Sequence, residues 1–303
     1  MIEGYGIQSG ALRETLQDKA CVWLCVAPDA EEQQLLQGRL GIGAQALESS
    51  LDPDEVARIE INPDHLFLIW KRPESFDGRA FNVSSFGVML SEQRLVVICA
   101  SNSLLSSLAA ESNLQGPLDV LMALLAESVH HYLGHLRVVK QVARELQQQF
   151  TRTLDNQQLA QMYNLSESLV YYVNAIQSNG TVLTLLRSHG QRHGFSAGQL
   201  DALNDLIIEN EQSYQQARIH AQVFANLIES RGNLANNGMN LALRKLTLIN
   251  VVFLPLNLIA GIGGMSEFSM MTAGTPWWLS FPALIVGMAL LGAVMVVGLR
   301  RMA

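Results

Sequence analysis

The feature that most constrains this chain is its last sixty residues. A charged helical stretch turns apolar at Leu246, and the chain then runs twice through membrane-like sequence: LTLINVVFLPLNLIAGIGG (residues 246–264) and WWLSFPALIVGMALLGAVMVVGL (residues 277–299). No Lys or Arg lies between Lys245 and Arg300, and the one acid in that interval is Glu267. About 20 apolar residues are what a helix needs to cross a hydrocarbon core of roughly 30 Å. Two spans near the C-terminus are therefore expected, anchored in a bilayer. Arg244 and Lys245 precede the first span and Arg300 and Arg301 follow the second. The positive-inside bias then places both termini in the cytoplasm and the short loop outside.

The remaining sequence is soluble in character. The opening segment MIEGYGIQSG has neither basic flank nor apolar core, unlike a secretory signal. The net charge of −7 falls mostly in the first third, so no basic face suited to nucleic acid is expected. Cys21, Cys25 and Cys99 lie in apolar, strand-like stretches and are expected to be buried free thiols, as suits a reducing compartment. A zinc site at Cys21 and Cys25 lacks a second ligand pair at suitable spacing.

Residues 1–115 predict a cytoplasmic α/β (α+β) domain. Strands are expected at 20–27, 65–72, 81–90 and 94–100, where β-branched and aromatic residues concentrate. Short helices are expected around 31–36 and 52–58. From Pro117, suited to a first helical position, a helix is predicted to about 150 and a second from about 155 to 187. A turn follows at 188–195. Ser196 and Gln199 then form a capping-box start. From there the spacing predicts one helix to Gly264, about 100 Å long at 1.5 Å per residue. Its apolar stripe, Leu203, Ile207, Tyr214, Ala217, Ala221, Phe224 and Ile228, has coiled-coil-like steps. So long a helix implies an oligomeric stalk (residues 116–245) entering a membrane module (246–303).

Inside the first span every polar side chain falls on one stripe: Asn240, Leu243, Thr247, Asn250, Leu254, Asn257, Gly261 and Gly264. A polar stripe in a bilayer is costly unless it faces a bundle interior or water. Copies around an axis would stack rings of amide oxygens able to hold a hydrated cation. Interhelical hydrogen bonding explains the same residues equally well, and the stripe alone leaves both readings open.

The segment 240–266, NLALRKLTLINVVFLPLNLIAGIGGMS, resembles the first membrane helix of the CorA family of divalent cation transporters. The shared features are an Asn at the cytoplasmic end, a basic residue before Leu-Thr, a Phe-x-Pro-Leu core, Ile-Ala-Gly-Ile and a closing Gly-Met. The resemblance implies a funnel-shaped homopentamer in a bacterial inner membrane, with the first span lining the pore and the second packed outside it. It implies divalent cations as substrate and as a possible gating ligand. The mouth would be Gly264, Met265, Ser266 and Glu267. Here the sequence departs from the family signature, which ends Gly-Met-Asn; Ser266 keeps an oxygen but loses the amide. Gly238-Met239-Asn240 repeats the letters of that signature but precedes the span. The departure leaves Mg2+, Zn2+, Co2+ and Ni2+ open, and resembles what the zinc-transporting ZntB branch and CmaX-type relatives tolerate. The resemblance further implies a regulatory metal site in which Asp205 meets Glu74 or Asp77 across subunits.

His131 and His135, with His130 adjoining and His189 and His193 at the same spacing, are expected to be surface residues. No nucleotide loop, nucleophile elbow or metalloprotease motif occurs, so neither an enzyme nor an organic cofactor is expected. The alternative to a transporter is a non-conducting, membrane-anchored scaffold or metal sensor with the same fold.

Overall fold

The computed structural model describes residues 1–16, 19–74, 80–101, 114–148 and 156–302. They form two compact units, residues 1–228 and 229–303.

The first unit is built on a seven-stranded mixed sheet. Its strands are β1 (Ile2–Gln8), β2 (Ala11–Glu14), β3 (Val22–Val26), β4 (Arg58–Ile61), β5 (His65–Pro73), β6 (Val83–Ser91) and β7 (Leu95–Cys99), in the spatial order β2-β1-β3-β7-β6-β5-β4. β3 and β7 pair in parallel and every other neighbour is antiparallel. Helices α1 (Ala30–Leu40) and α2 (Ala44–Leu51) follow β3. Three longer helices follow β7: α3 (Pro117–Gln148), α4 (Asn156–Gly190) and α5 (Ala197–Gly263).

The central strands are apolar at consecutive positions because both faces are covered. In β5, Leu66, Leu68 and Trp70 face a core completed by Leu121, Leu125 and Val129 of α3 and Leu183 and Leu186 of α4. The alternate residues Phe67 and Ile69 join Trp23, Cys25, Val96 and Ile98 under Leu36 of α1 and Leu47 of α2. A third core lies among helices, where Tyr132 and Leu136 of α3 meet Leu165, Tyr172 and Ile176 of α4 and Ala217 and Phe224 of α5.

Four of the expected strands are present within a few residues of their predicted ends. Three strands lie outside the prediction. β1 is interrupted by Gly4 and Gly6, which weaken a strand pattern. It turns into β2 through Ser9 and Gly10, both with positive φ (54° and 80°), the backbone of a two-residue type I′ hairpin. The helix expected at 52–58 is a correction: α2 ends at Leu51, the chain turns, and β4 begins at Arg58. The Asp52 side chain accepts from the Asp54 amide at 2.9 Å, a local turn that competes with helix. The turn expected at 188–195 starts later, because α4 continues to Gly190 before a single 3-10 turn at Gln191–His193.

The capping box at the start of α5 is formed in both directions. Ser196 Oγ accepts from the Gln199 amide at 3.3 Å, and Gln199 Oε1 accepts from the Ser196 amide at 3.0 Å. Within the first unit α5 buries Leu203, Leu206, Asn210, Ser213, Ala217 and Phe224, in three-, four- and seven-residue steps. Two polar side chains belong to that seam. Asn210 Nδ2 donates to the Ile176 carbonyl at 2.9 Å, and Ser213 Oγ donates to the Glu209 carbonyl at 2.9 Å.

The second unit holds the remainder of α5, the short α6 (Ser266–Met271) and α7 (Trp277–Met302). α5 and α7 each contain a stretch long and apolar enough to cross a membrane, and neither stretch is buried within the chain. Pro255 and Pro282 lie inside these helices.

The three cysteines are free thiols, as expected: Cys25 and Cys99 are buried and Cys21 is half-buried. Burial pushes the Cys25 thiol up to about 12, with Cys99 adding to the effect, and pushes Cys99 up to about 11. Neither supplies the thiolate that metal binding or redox chemistry requires.

Candidate functional site

The membrane end of α5 divides into two faces. Val252, Leu256, Ile259 and Gly263 are half-buried. Gly263 and Leu256 meet α7, whose half-buried positions Ser280, Leu284, Met288, Gly292, Met295 and Leu299 recur at steps of three and four. Glycine sets the approach at two crossings. A Cβ on Gly263 would lie 2.8 Å from Leu284 Cδ2, and one on Gly292 would lie 3.3 Å from Leu256 Cδ1. Small residues at such crossings let apolar helices pack closely where no hydrophobic effect drives them together.

The polar stripe is on the other side. At 3.6 residues per turn, Asn250, Leu254, Asn257 and Gly261 project about 100° to 160° round the helix from Leu256. Asn240, Leu243, Thr247, Asn250, Leu254, Asn257, Gly261 and Gly264 are all exposed. Leu254 is 71% exposed. Thr247 Oγ1 turns back to the Leu243 carbonyl at 2.9 Å. The amides of Asn240, Asn250 and Asn257 have no hydrogen-bond partner among the described residues. A Cβ on Gly261 would meet nothing. On the side of α5 that carries Leu256, Ile249 and Phe253 remain exposed at 53% and 59%.

α5 closes with the Gly264 amide donating to the Ala260 and Gly261 carbonyls at 3.1 and 3.2 Å. Met265 is exposed, and Ser266 opens α6, which also contains Glu267. The segment between the spans thus holds a helical turn.

The acids expected to bind a regulatory ion are separated within one chain. Asp205 is exposed on α5 and lines a surface cavity of about 440 Å³ with Asp119, His130 and Glu209. His130 Nε2 lies 2.9 Å from Glu209 Oε2. Glu74 follows β5, does not line that cavity, and acts on Tyr172, whose hydroxyl is raised by burial first and by this carboxylate second. Asp77 lies outside the described residues. Among the described residues no group of three or more His, Cys, Asp or Glu converges as a metal cage would.

His130 and His131 are exposed, as expected, but His135 is half-buried, a correction to its surface assignment. Its Nδ1 sits 2.6 Å from the Tyr172 hydroxyl, and its ring packs 4.9 Å from Phe81. Apolar Phe81 and Tyr172 from neighbouring segments close over it, which helical spacing alone does not reveal. Burial pushes its pKa down to about 4, with His131 adding repulsion.

One notable residue carries no motif. Lys71 lies on β5 and is only 8% exposed. Its place in the strand's two-residue alternation with Phe67 and Ile69 is the signal that it points inward.

A mixed-sheet unit and two helices with unburied, membrane-length apolar stretches, the first of them the end of the long α5, define the architecture of a membrane protein. The profile of the family described as CorA-like Mg2+ transporter protein matches residues 18–301, and the chain belongs to that family of divalent cation transporters. A cobalt/magnesium transport protein CorA of Methanocaldococcus jannaschii is 22% identical over 291 residues, 90% of this chain and 89% of that protein. The complete structure of the CorA magnesium transporter from Methanocaldococcus jannaschii covers 100% of this chain and 97% of its own, at 21% identity and a TM-score of 0.80. A full-length CmaX structure covers 98% and 97%, at 16% identity and a TM-score of 0.75. The ZntB cytoplasmic domain from Vibrio parahaemolyticus RIMD 2210633 covers 78% and 98%, at 9% identity and a TM-score of 0.61. At these identities the structural likeness is one of fold.

Proposed function

We propose that five copies of this chain form a passive conduit for divalent cations across a bacterial inner membrane, with α5 lining the pore and α7 packed outside it. The observation that carries this reading is the placement of the polar stripe. It lies away from the Leu256 and Gly263 contacts with α7, and its amides have no hydrogen-bond partner among the described residues. In a bilayer such a face must be buried against copies of itself or against water. Rings of Asn240, Asn250 and Asn257 would hold a hydrated ion, with Thr247 between the first two and Gly264, Met265, Ser266 and Glu267 at the outer mouth.

Basic residues at 244–245 and 300–301 support cytoplasmic termini. A divalent ion entering down a 100 mV potential would gain about 4.6 kcal/mol, twice the single-charge value, so no chemical energy source is required. A regulatory site between Asp205 of one subunit and Glu74 or Asp77 of the next would suit Mg2+, which takes oxygen ligands and keeps several waters.

The test is uptake of Mg2+ and Zn2+, measured side by side in proteoliposomes, with Co2+ and Ni2+ as further substrates. The wild type is expected to conduct at least one of them. Asn257→Leu is expected to bring flux to background while the oligomer, read by native mass spectrometry, persists. Unchanged flux in that variant would refute the pore assignment. No flux of any of the four ions through the wild type would leave a membrane-anchored scaffold or sensor. Unchanged Mg2+ sensitivity in Asp205→Ala would remove the regulatory site.

A further inference from the structure

The first unit contains a cavity that the transport reading does not use. It has a volume of about 700 Å³ and lies between the 53–56 turn, β5, the segment entering β6, and α4. Lys71 forms part of its wall. The Lys71 ammonium donates to the Pro53 carbonyl and, at 3.1 Å, to Ser85 Oγ. An ammonium has three N–H groups, so one remains without a partner among the described residues. Both acceptors are neutral oxygens, and no carboxylate lies within ion-pair distance among the described residues. A buried cation without a counter-ion is costly. Its pKa is accordingly lowered by burial, against the pull of Asp54, Asp52 and Glu55.

The lysine is held in place deliberately on both sides of its backbone. Its amide donates to Asn179 Oδ1 at 3.0 Å, and its carbonyl accepts from Asn179 Nδ2 at 2.7 Å. Asn179 is fully buried. The preceding Trp70 indole donates to Ser128 Oγ at 2.9 Å. Two helices thus fix a residue that lines the cavity.

The remaining wall carries the opposite charge. Glu55 is neutralised by Arg58 at 2.7 Å. The Asp54 and Glu167 carboxylates have no such partner among the described residues. Asp54 adjoins the carbonyl that Lys71 grips, and Glu167 is exposed on α4. Exposed Asn82 and Asn174 add carboxamides to the wall. A simple anion would gain Lys71 and be repelled by both acids, and a simple cation would meet the reverse.

The geometry points to a binding site for a small zwitterion, a polar α-amino acid, whose carboxylate takes the open N–H of Lys71 and whose ammonium meets Asp54 and Glu167. The volume is within the range of about 300 to 1,000 Å³ usual for small-molecule sites. The carboxamides then serve the ligand's own polar side chain. Occupancy supplies the counter-ion that Lys71 lacks.

The test is isothermal titration of the full chain in detergent micelles with each of the twenty L-amino acids, and with acetate, methylammonium and inorganic phosphate. At least one polar amino acid is expected to bind saturably at one per chain, tenfold or more tighter than acetate or methylammonium. Lys71→Met, which keeps the apolar stem, is expected to weaken it tenfold or more. Glu167→Gln, at an exposed position, is expected to weaken it several-fold, and tests the site independently should Lys71→Met not fold. Absence of any amino-acid binding, phosphate preferred over every amino acid, or affinity unchanged in either folded variant would overturn the proposal. Because binding is read in micelles without flux, its outcome is independent of whether the chain conducts ions.

Discussion

The two units treat polar groups in opposite ways. In the sheet-and-helix unit, buried polar side chains are closed against internal partners: Asn179 on the Lys71 backbone, Ser128 on Trp70, Asn210 on the Ile176 carbonyl. Exceptions among the described residues include the Trp23 indole N–H, the Tyr132 hydroxyl and Asn210 Oδ1. In the membrane unit, Asn240, Asn250 and Asn257 stand exposed on an apolar helix and have no hydrogen-bond partner among the described residues. The first unit closes most of its buried polar groups within itself, whereas on the proposed reading the second carries one face of an interior that further copies complete. A polar residue buried with its partner specifies a fold, but one left open on a membrane helix specifies an assembly.

This contrast can be broken most sharply at Asn257. Asn257→Leu is expected to abolish cation flux and leave the unfolding of the first unit unchanged, as read by circular dichroism during a denaturant titration. A parallel loss of stability would show that the two units are not separable in this way. Asn179→Leu is the converse experiment. It strands the buried N–H of Lys71, at about 1–3 kcal/mol, and leaves its carbonyl only the Ser128 hydroxyl at 3.5 Å. A fall of that size in unfolding free energy is expected, and a change under about 1 kcal/mol would show that the bond is not structural.

Gly263→Val probes the seam of the membrane unit, where a Cβ would lie 2.8 Å from Leu284. Overpacking of this kind typically costs about 1–3 kcal/mol. Reduced thermal stability in detergent is expected, whereas Gly261→Ala, on the open stripe, is expected to leave it unchanged.

The smallest effect concerns His135. Its folded pKa of about 4 lies below the ordinary value of 6.5, so the unfolded state binds the extra proton between those limits. The stability contributed by neutral His135 is complete above pH 6.5 and is lost as pH falls toward 4. His135→Phe is expected to flatten that part of the stability–pH curve. An unchanged slope would place the titrating group elsewhere.

How far the molecule was legible depends on where each residue's partners lie. The two spans were readable because runs of about 20 apolar residues have few other uses. β5, β6 and β7 were readable because strands buried on both faces are apolar throughout. The stripe on α5 was readable because its polar residues share one helical face. β1 was hidden by Gly4 and Gly6, and β4 by the acids of the preceding turn, whose Asp52 side chain caps a bend that composition resembles to a helix start. Asn210 and Ser213 were absent from the expected seam because their burial depends on partners in α4 and in the preceding turn of α5. For the same reason Lys71 was absent from the expected site residues, its strand alternation being the one signal that it points inward. The contacts of Leu256 and Gly263 with α7 followed from no periodicity of α5 alone, since Ile249 and Phe253 share that side and remain exposed.

The ends of the sheet bear on how copies of this chain can meet. β2 and β4, the outermost strands, are each four residues long and carry Arg13, Glu14, Arg58 and Glu60. Short, charged borders of this kind discourage strand-to-strand annealing between molecules. A sheet with such borders offers a neighbour little backbone to pair with, so on the proposed reading the copies would recognise one another through helices, where register can be read by side chains instead of by backbone alone.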